Sequence, residues 1–554
     1  MKGDEKMSTS KRNTYAGADP TRRMADILLV SEAVFLLLWL VGVPMMNFAA
    51  LTLLLFCIPA AIVRLAPILL LGVAGLVRRS RPLRPGDLRL GMTVSRPQVP
   101  VVLPSREREG HVAILGRTGS GKSTMMETLV KQDIQTGRKV ILIDPHTQLA
   151  QAMAHTCVVN RRLPVLVVTG APWMHSVNLL QTAPQWTALD AARCVTDGLV
   201  QVFMPYQDEL PMRIRHLVEC AAYFLAAANE GYTLLEIPRF LRSRAFRDHL
   251  AEKVLGRNGG GRDLDSLIPG FSLGWLEDLN RTQLHEQVQS TWTRILALLT
   301  PPDAQRLVGC SKSTFTFEQI QQGTPLLLGI GEPGLHRSAH LLNALLTTWL
   351  TKRLLAGESR WGTSDPINLY VDELAEISPE SFEQLLRRAR KESVRLTVTV
   401  QAQTMLDRNL YQALLGNVSN LLIFGSSGPG VEELAREIGR PFAAEQRDGS
   451  GQHLMELQRQ LHQTASDLRT LLPHEFMLHR TASPYPAVPC HTDLPPRVGG
   501  RAVAEAVDLV LRAWGRSIQG IDSEILAQQM QLDQRFGSIR GLGPGPGNMG
   551  TAPW

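Results

Sequence analysis

A glycine-rich loop followed by Lys-Ser is the feature that most constrains how this chain of 554 residues can fold. Residues 116–123 fill the pattern G-x-x-x-x-G-K-[ST], after the short apolar run 112–115 and before a helical stretch at 123–132. Such a loop points main-chain N–H groups at a phosphate, and the helix N-terminus behind it favours the same anion. The loop therefore predicts an α/β fold in which a buried strand leads into a nucleotide site.

The same loop predicts ligand-binding roles for individual residues. Lys122 is expected to reach the β- and γ-phosphates of a nucleoside triphosphate, and the Ser123 hydroxyl to ligate magnesium. ATP and Mg²⁺ are therefore the predicted cofactors. The residues predicted to contact the nucleotide are Gly116, Thr118, Gly119, Ser120, Gly121, Lys122, Ser123 and Thr124.

A second motif supplies the carboxylates that such a nucleotide site needs. The apolar run 367–371 has the length of a strand and ends in Asp372 and Glu373. Asp372 is predicted to complete the magnesium shell, and Glu373 to activate the attacking water as a general base. Alone, an acidic pair would be an ordinary solvated turn. After a strand, in a chain with an intact phosphate loop, it predicts a site that hydrolyses ATP.

Two further groups are candidates for completing this site. Gln401 follows a predicted strand, and a polar residue at the carboxyl end of a strand can contact the γ-phosphate in an open α/β sheet. Gln403 is a close alternative. The basic helical segment 385–391 carries Arg387 and Arg390, either of which can serve as an arginine finger for a neighbouring subunit's ATP. A solvated basic face explains the same cluster equally well.

Short apolar runs alternate with helical stretches along much of the chain, which predicts a mostly parallel sheet. The predicted strands are 112–115, 139–144, 164–168, 325–330, 367–371, 396–400 and 421–424. The alternation stops between 186 and 300, where helical periodicity predicts an inserted all-α domain. The helices predicted there are 189–203, 212–228, 234–241 and 287–299.

An apolar N-terminal region predicts a membrane anchor. Residues 27–43 and 48–77 are long apolar stretches, each interrupted by one charged residue. About 20 apolar residues span a bilayer, so a transmembrane helical hairpin is expected over 25–78. Basic residues flank both ends, which predicts that both ends lie in the cytoplasm. A hairpin buried in a soluble core is the alternative.

Charge and cysteine content restrict the class of protein only broadly. The net charge of +7 and the pI of about 9.2 suit a polyanion or an anionic lipid surface without distinguishing between them. The six cysteines form no C-x-x-C motif and no metal-binding spacing, which fits a reducing compartment and does not imply zinc.

These signals predict a definite order of parts. We interpret 80–108, rich in Pro and Arg, as a linker, and expect no sheet after 486, where only a helix at 501–514 and a disordered end at 541–554 are predicted. The parts are a cytosolic tail at 1–24, the hairpin at 25–78, an ATPase domain at 79–185 and 301–485, the all-α insertion at 186–300, and the C-terminal helix and tail at 486–554.

The motifs resemble those of the conjugative coupling-protein ATPases of type IV secretion systems, the TraG/TraD kind, within the FtsK- and HerA-like superfamily. The resemblance covers roughly residues 100–480 and rests on four segments. One position departs from the pattern, because Thr147 stands where the family usually has Gly after its second strand. The segments are 116–124, 140–146, 370–373 and 390–401.

This resemblance implies a RecA-like P-loop NTPase core and a homo-hexameric ring at the bacterial inner membrane, with the ATPase domain in the cytoplasm. It further implies transport of single-stranded DNA with its bound relaxase toward a type IV secretion channel. The arginine finger of the family carries over to Arg387 or Arg390. Two other functions stay open: a HerA-like motor for double-stranded DNA in repair or defence, and a non-catalytic membrane receptor gated by nucleotide.

Overall fold

A mixed sheet forms the centre of the described part of the chain. The computed structural model describes residues 84–203, 212–256, 264–279, 281–331, 337–356, 365–374, 379–401, 408–428, 430–439, 451–481 and 487–538. The strands are β1 Leu88–Thr93, β2 Pro100–Leu103, β3 Val112–Leu115, β4 Lys139–Ile143, β5 Val165–Val168, β6 Trp173–Met174, β7 Leu326–Gly329, β8 Ile367–Val371, β9 Val394–Val400, β10 Asn420–Phe424, β11 Glu475–Arg480, β12 Val488–Thr492 and β13 Arg516–Ser517. Eleven of these described strands form the large sheet, in the order β2-β1-β12-β11-β10-β3-β9-β8-β4-β7-β5, and β6 pairs with β13 separately.

The predicted membrane hairpin, 25–78, lies outside the described residues, as do the tail at 1–24 and Gln403. Within the part of the chain that the structure describes, no helix combines the length and the apolar character needed to cross a bilayer.

The seven strands from β10 to β5 run parallel to one another and confirm the strands that the sequence predicts. Their residues alternate between two buried apolar clusters. In β3, Ala113 and Leu115 belong to one cluster, and Val112 and Ile114 belong to the other. Both faces of the sheet are therefore covered, which is why these strands read as continuous apolar runs. The predicted α/β class is confirmed.

The sheet continues beyond the parallel strands, and here two sequence predictions are wrong. The segment 80–108 is not simply a linker, because β1 and β2 pair within it. The sheet does not stop at 486, because β12 pairs with both β1 and β11. The signal was missed because β1 and β12 are short, lie about 400 residues apart, and carry Pro or Arg among their apolar residues. Their burial depends on a pairing that no local pattern reveals.

Helices cover the sheet and form most of the segment between β6 and β7. The helices predicted between 186 and 300 are present, whereas the division into an inserted domain stays a prediction. The helices are α1 Lys122–Gln135, α2 Gln148–Val159, α3 Ala188–Phe203, α4 Met212–Ala228, α5 Ile237–Arg242, α6 Arg244–Gly256, α7 Leu264–Asp278, α8 Arg281–Leu299, α9 Pro302–Val308, α10 Phe317–Gln321, α11 Arg337–Leu355, α12 Pro379–Arg388, α13 Arg408–Asn417, α14 Val431–Gly439, α15 Gly451–Thr470, α16 Gly500–Trp514 and α17 Ile518–Phe536.

The C-terminal region contains one predicted helix, α16, and one that was not predicted, α17. Ile521, Ile525 and Leu532 of α17 are buried in the apolar cluster that also contains the helices between β6 and β7. A disordered segment at 541–554 was also predicted, and it lies outside the described residues. The helix α17, which follows the last strand of the large sheet in the sequence, therefore packs on the helices between β6 and β7.

Candidate nucleotide-binding site

The parallel strands bring the predicted site residues together at one edge of the sheet. The loop after β3, the acidic pair after β8 and Gln401 after β9 all follow the carboxyl ends of their strands. Ligands bind at this edge in open α/β sheets. A pocket that is open to solvent lies there. It is lined by Thr118, Gly119, Gly121, Lys122, Ser123, Thr124, Asp372, Glu373, Thr399, Gln401 and His474.

Two glycines of the loop are required by close packing behind it. Gly116 has φ 156°, and a Cβ there would lie 2.7 Å from the Cβ of Phe424 in β10. Gly121 has φ 110°, and its Cβ would lie 2.8 Å from Nδ1 of His474. At both positions the backbone is left-handed and the neighbouring atoms leave no room for a side chain. The loop therefore has the shape of a phosphate cradle at the N-terminus of α1.

Lys122 begins α1 and turns back on its own loop. Its Nζ donates to the carbonyl oxygen of Arg117 at 2.9 Å, and the Ser120 hydroxyl donates to the same oxygen at 2.7 Å. Burial lowers the pKa of Lys122, while the charges of Glu373 and Asp372 oppose that shift. A phosphate oxygen in the cradle offers this ammonium a charged acceptor, which binds it more strongly than a carbonyl does.

The acidic pair is fixed by a residue that sequence reasoning missed, Thr399. The Thr399 hydroxyl donates to Oδ1 of Asp372 at 2.7 Å and accepts the main-chain N–H of Glu373 at 2.7 Å. Burial raises the pKa of Asp372, and the hydrogen bond from Thr399 acts in the opposite direction. Thr399 lies two residues before Gln401, and alternate residues of an extended segment point to the same side, so both line the pocket. That spacing was the available signal.

The Glu373 side chain meets a second unpredicted partner, His146. Nε2 of His146 lies 2.7 Å from Oε2 of Glu373, and the two side chains are 59% and 14% exposed. Burial acts to lower the pKa of His146, but the hydrogen bond and the charge of Glu373 outweigh it, so that the pKa is raised. The segment 140–146 is one of those that carry the family resemblance, but its sequence alone does not indicate a role in the site.

His474 is the third residue that the sequence did not indicate. It lies in the turn before β11. There its main-chain N–H donates to the Ser120 carbonyl at 2.8 Å, and its main-chain carbonyl accepts the Thr492 N–H at 2.8 Å. The antiparallel strands therefore hold His474 against the phosphate loop. Because that part of the sheet was not predicted, its contribution to the site could not be predicted either.

Neither candidate for the arginine finger lines this pocket. Arg390 lies in the turn that enters β9, near the amino ends of the strands, where its charge adds to burial in lowering the pKa of His111 to about 4. Arg387 is exposed and pairs with Glu383 at 2.5 Å. Both arginines are therefore placed away from the nucleotide site of their own chain, and a role toward a neighbouring subunit stays a prediction.

The residues around the pocket suit ATP and Mg²⁺. Main-chain N–H groups at the N-terminus of α1 and the buried Lys122 ammonium suit a chain of phosphates. The Ser123 hydroxyl and the Asp372 carboxylate, both on the pocket wall, are oxygen donors of the kind that Mg²⁺ prefers.

A family model described as Helicase HerA, central domain, matches residues 88–160. The HerA-like relationship that the motifs predict is confirmed over these residues. The match covers β1 to α2 and includes the phosphate loop, together with the edge strands that sequence reasoning had interpreted as a linker. Comparison with curated proteins gives no match.

Several solved structures are similar to this chain at low sequence identity. The bacterial conjugative coupling protein TrwBdeltaN70, unbound, has a TM-score of 0.46 and 14% identity over 77% of this chain and 91% of its own. The plasmid coupling protein TrwB in complex with ADPNP has a TM-score of 0.49 and 13% identity over 77% and 93%. VirB4 of Thermoanaerobacter pseudethanolicus has a TM-score of 0.45 and 14% identity over 75% and 97%.

Proposed function

We propose that this chain is a Mg²⁺-dependent ATPase that moves DNA, anchored to the bacterial inner membrane as the coupling protein of a conjugation or type IV secretion system. The observation that supports hydrolysis is the convergence of Lys122, Ser123, Asp372, Glu373 and Gln401 on one pocket. These five residues come from three separated segments of the chain and include a cation, two oxygen donors for Mg²⁺ and a candidate general base.

The proposed chemistry assigns one task to each group. The loop amides and Lys122 would bind the phosphates, and Ser123 and Asp372 would hold Mg²⁺, which would neutralise charge on the β- and γ-phosphates. Glu373 accepts a proton from water as the water oxygen attacks the γ-phosphorus, while the bond to the ADP oxygen breaks. Gln401 lines the same pocket, and its proposed role is a contact to the γ-phosphate. TrwB is described in complex with ADP and Mg²⁺, the same class of ligands.

DNA as the transported substrate is supported by the match to the HerA central domain and by the motif resemblance to coupling proteins. The basic net charge suits a polyanionic partner. We further propose a homo-hexamer in which Arg387 or Arg390 reaches a neighbour's ATP, with anchoring through 25–78. The relaxase and the channel components are the proposed protein partners.

The test is ATP hydrolysis by the purified full chain with Mg²⁺, in the presence of single- or double-stranded DNA. Lys122→Ala is expected to lower kcat by roughly 100-fold or more, because a preorganised charge contact to the phosphates is lost. Lys131→Ala, on the same helix but away from the pocket, is the matched control and should retain activity. Normal hydrolysis and normal DNA transfer by Lys122→Ala would overturn the proposal.

A motor for double-stranded DNA is the second candidate, favoured by the HerA description of the matching family. The choice of nucleic acid separates the two functions. Greater stimulation by single strands supports the coupling function, and greater stimulation by duplexes supports the HerA-like motor. If the wild-type chain releases no phosphate with either DNA, a nucleotide-gated receptor without catalysis replaces both.

A further inference from the structure

The carboxylate of Glu373 is held by one side chain among the described residues. Its main chain is fixed by the N–H···Oγ1 bond to Thr399, and its φ of 60° is a left-handed value that few residues other than glycine adopt. Among the described residues, His146 alone contributes a hydrogen bond to the carboxylate, 2.7 Å from Nε2 to Oε2. A carboxylate only accepts, so Nε2 carries the proton.

The main chain that carries His146 is itself firmly placed. The buried carboxylate of Asp144 accepts the N–H of His146 and the N–H of Ala150, each at 2.9 Å. The N–H of Asp144 in turn donates to the Leu328 carbonyl of β7 at 2.8 Å. The imidazole therefore extends from a fixed turn, and its 59% exposure leaves it accessible from solvent.

This contact opposes the role that Glu373 has in the proposed reaction. A general base must direct a free lone pair at the attacking water, within about 3 Å. A hydrogen bond from the imidazole occupies a lone pair of the carboxylate, and that lone pair is then not directed at water. In the observed arrangement the Oε2 lone pair that faces His146 is occupied, so water can use that lone pair only after the contact is released.

We propose that His146 is a positioning residue that holds the Glu373 carboxylate in a resting orientation and restrains hydrolysis until DNA is engaged. This inference rests on the proposed function, because it assigns a regulation to the same site. The solvent-exposed position of the imidazole gives a second macromolecule or a neighbouring subunit a way to reach it. Release of one hydrogen bond is then sufficient to turn Glu373 toward water.

Steady-state kinetics of the full chain tests this restraint. His146→Ala should raise the DNA-independent kcat for ATP by roughly tenfold at an unchanged KM, the effect of removing one charged hydrogen bond. The ratio of DNA-stimulated to basal rate should fall by the same factor. His146→Gln keeps an N–H donor the same number of bonds from Cβ and should restore the low basal rate. Adding Glu373→Gln to His146→Ala should abolish the raised turnover.

His155→Ala is the matched control, because this histidine lies on α2 and does not line the pocket. A basal kcat for His146→Ala that equals or falls below the wild-type value, while DNA still stimulates the wild type, refutes the inference and leaves the proposed function intact. Wild-type protein without any turnover refutes both. A changed KM for ATP with unchanged kcat would mean that His146 binds nucleotide and does not restrain the base.

Discussion

Thr147 adopts a left-handed backbone conformation, φ 70°, where the chain leaves β4 and enters α2. Glycine adopts this conformation freely, whereas a β-branched residue is strained in it. The preference of coupling proteins for Gly at this position therefore has a direct conformational reason. Thr is tolerated here because the Asp144 carboxylate fixes the turn on either side, through the N–H groups of His146 and Ala150.

His111 is a buried histidine whose neutral form the fold requires. It is 2% exposed, and its Nδ1 accepts the Leu396 N–H at 3.3 Å. Burial, assisted by the charge of Arg390, lowers its pKa to about 4, well below the ordinary value of 6.5. The unfolded chain therefore takes up a proton on His111 at a higher pH than the folded chain does.

This difference predicts acid sensitivity. The free energy of unfolding should fall as pH decreases from about 6.5 to about 4, by up to roughly 3 kcal/mol, and His111 should contribute no pH dependence above that window. His111→Asn keeps an acceptor without a titrating group, so its stability should vary less with pH over the same window. Urea unfolding at several pH values measures this. Equal pH dependence in the variant and the wild type would contradict the prediction.

At the scale of elements, a buried polar network joins the segment before β1, the helix α1 and the strand β8. The Arg108 guanidinium donates to the carbonyl of Gly86 and to the side chains of Asp133 and Asn368. The Tyr370 hydroxyl donates to Asp133 at 2.6 Å and accepts from Arg108 at 3.1 Å. Because α1 begins at the phosphate loop and β8 ends at the acidic pair, this network holds the two halves of the nucleotide site at a fixed distance.

Tyr370→Phe should lower the free energy of unfolding by about 2 kcal/mol, because two buried charged groups each lose a hydrogen bond. Tyr411→Phe is the matched control. The Tyr411 hydroxyl is also buried, but it has no hydrogen-bond partner among the described residues, so its removal should be neutral or stabilising. Chemical denaturation of both variants provides the comparison. Similar losses for the two would show that the network adds nothing to stability.

At the scale of the whole molecule, α17 closes the helical region that lies between β6 and β7. Its Asp533 pairs with the buried Arg239, and its Asp522 pairs with Arg306 at 2.8 Å. The short strand β13, just before α17, pairs with β6. β13 and α17 thus connect β6, just before the helical region, with α5 and α9 inside it.

Removal of 518–554 should destabilise the protein strongly. The deletion removes the buried side chains of Ile521, Ile525 and Leu532 and exposes the apolar surface that they cover, which should lower the free energy of unfolding by roughly 5 kcal/mol in total. The buried Arg239 would also lose its ion pair with the Asp533 carboxylate. A variant lacking only 539–554 keeps α17 and should melt at the wild-type temperature. Thermal unfolding and limited proteolysis measure both variants. A wild-type melting temperature after the longer deletion would contradict this role of α17.

The parallel part of the fold and most of the candidate site could be predicted from the sequence. Strands buried on both faces appear as continuous apolar runs, and the loop at 116–123 can be recognised because its chemistry needs Gly, Lys and Ser in a short stretch. Asp372 and Glu373 were identified because they directly follow such a run. These signals are local, since each depends on neighbours within about ten residues.

Tertiary structure alone decided the antiparallel edge and the contacts that complete the site. The pairing of β1 with β12, the approach of His474 to the phosphate loop and the hydrogen bond between His146 and Glu373 each join segments more than 200 residues apart. No periodicity or spacing encodes such a contact. These contacts result from the order of the strands in the sheet. That order depends on the burial of the whole apolar core and not on any one segment.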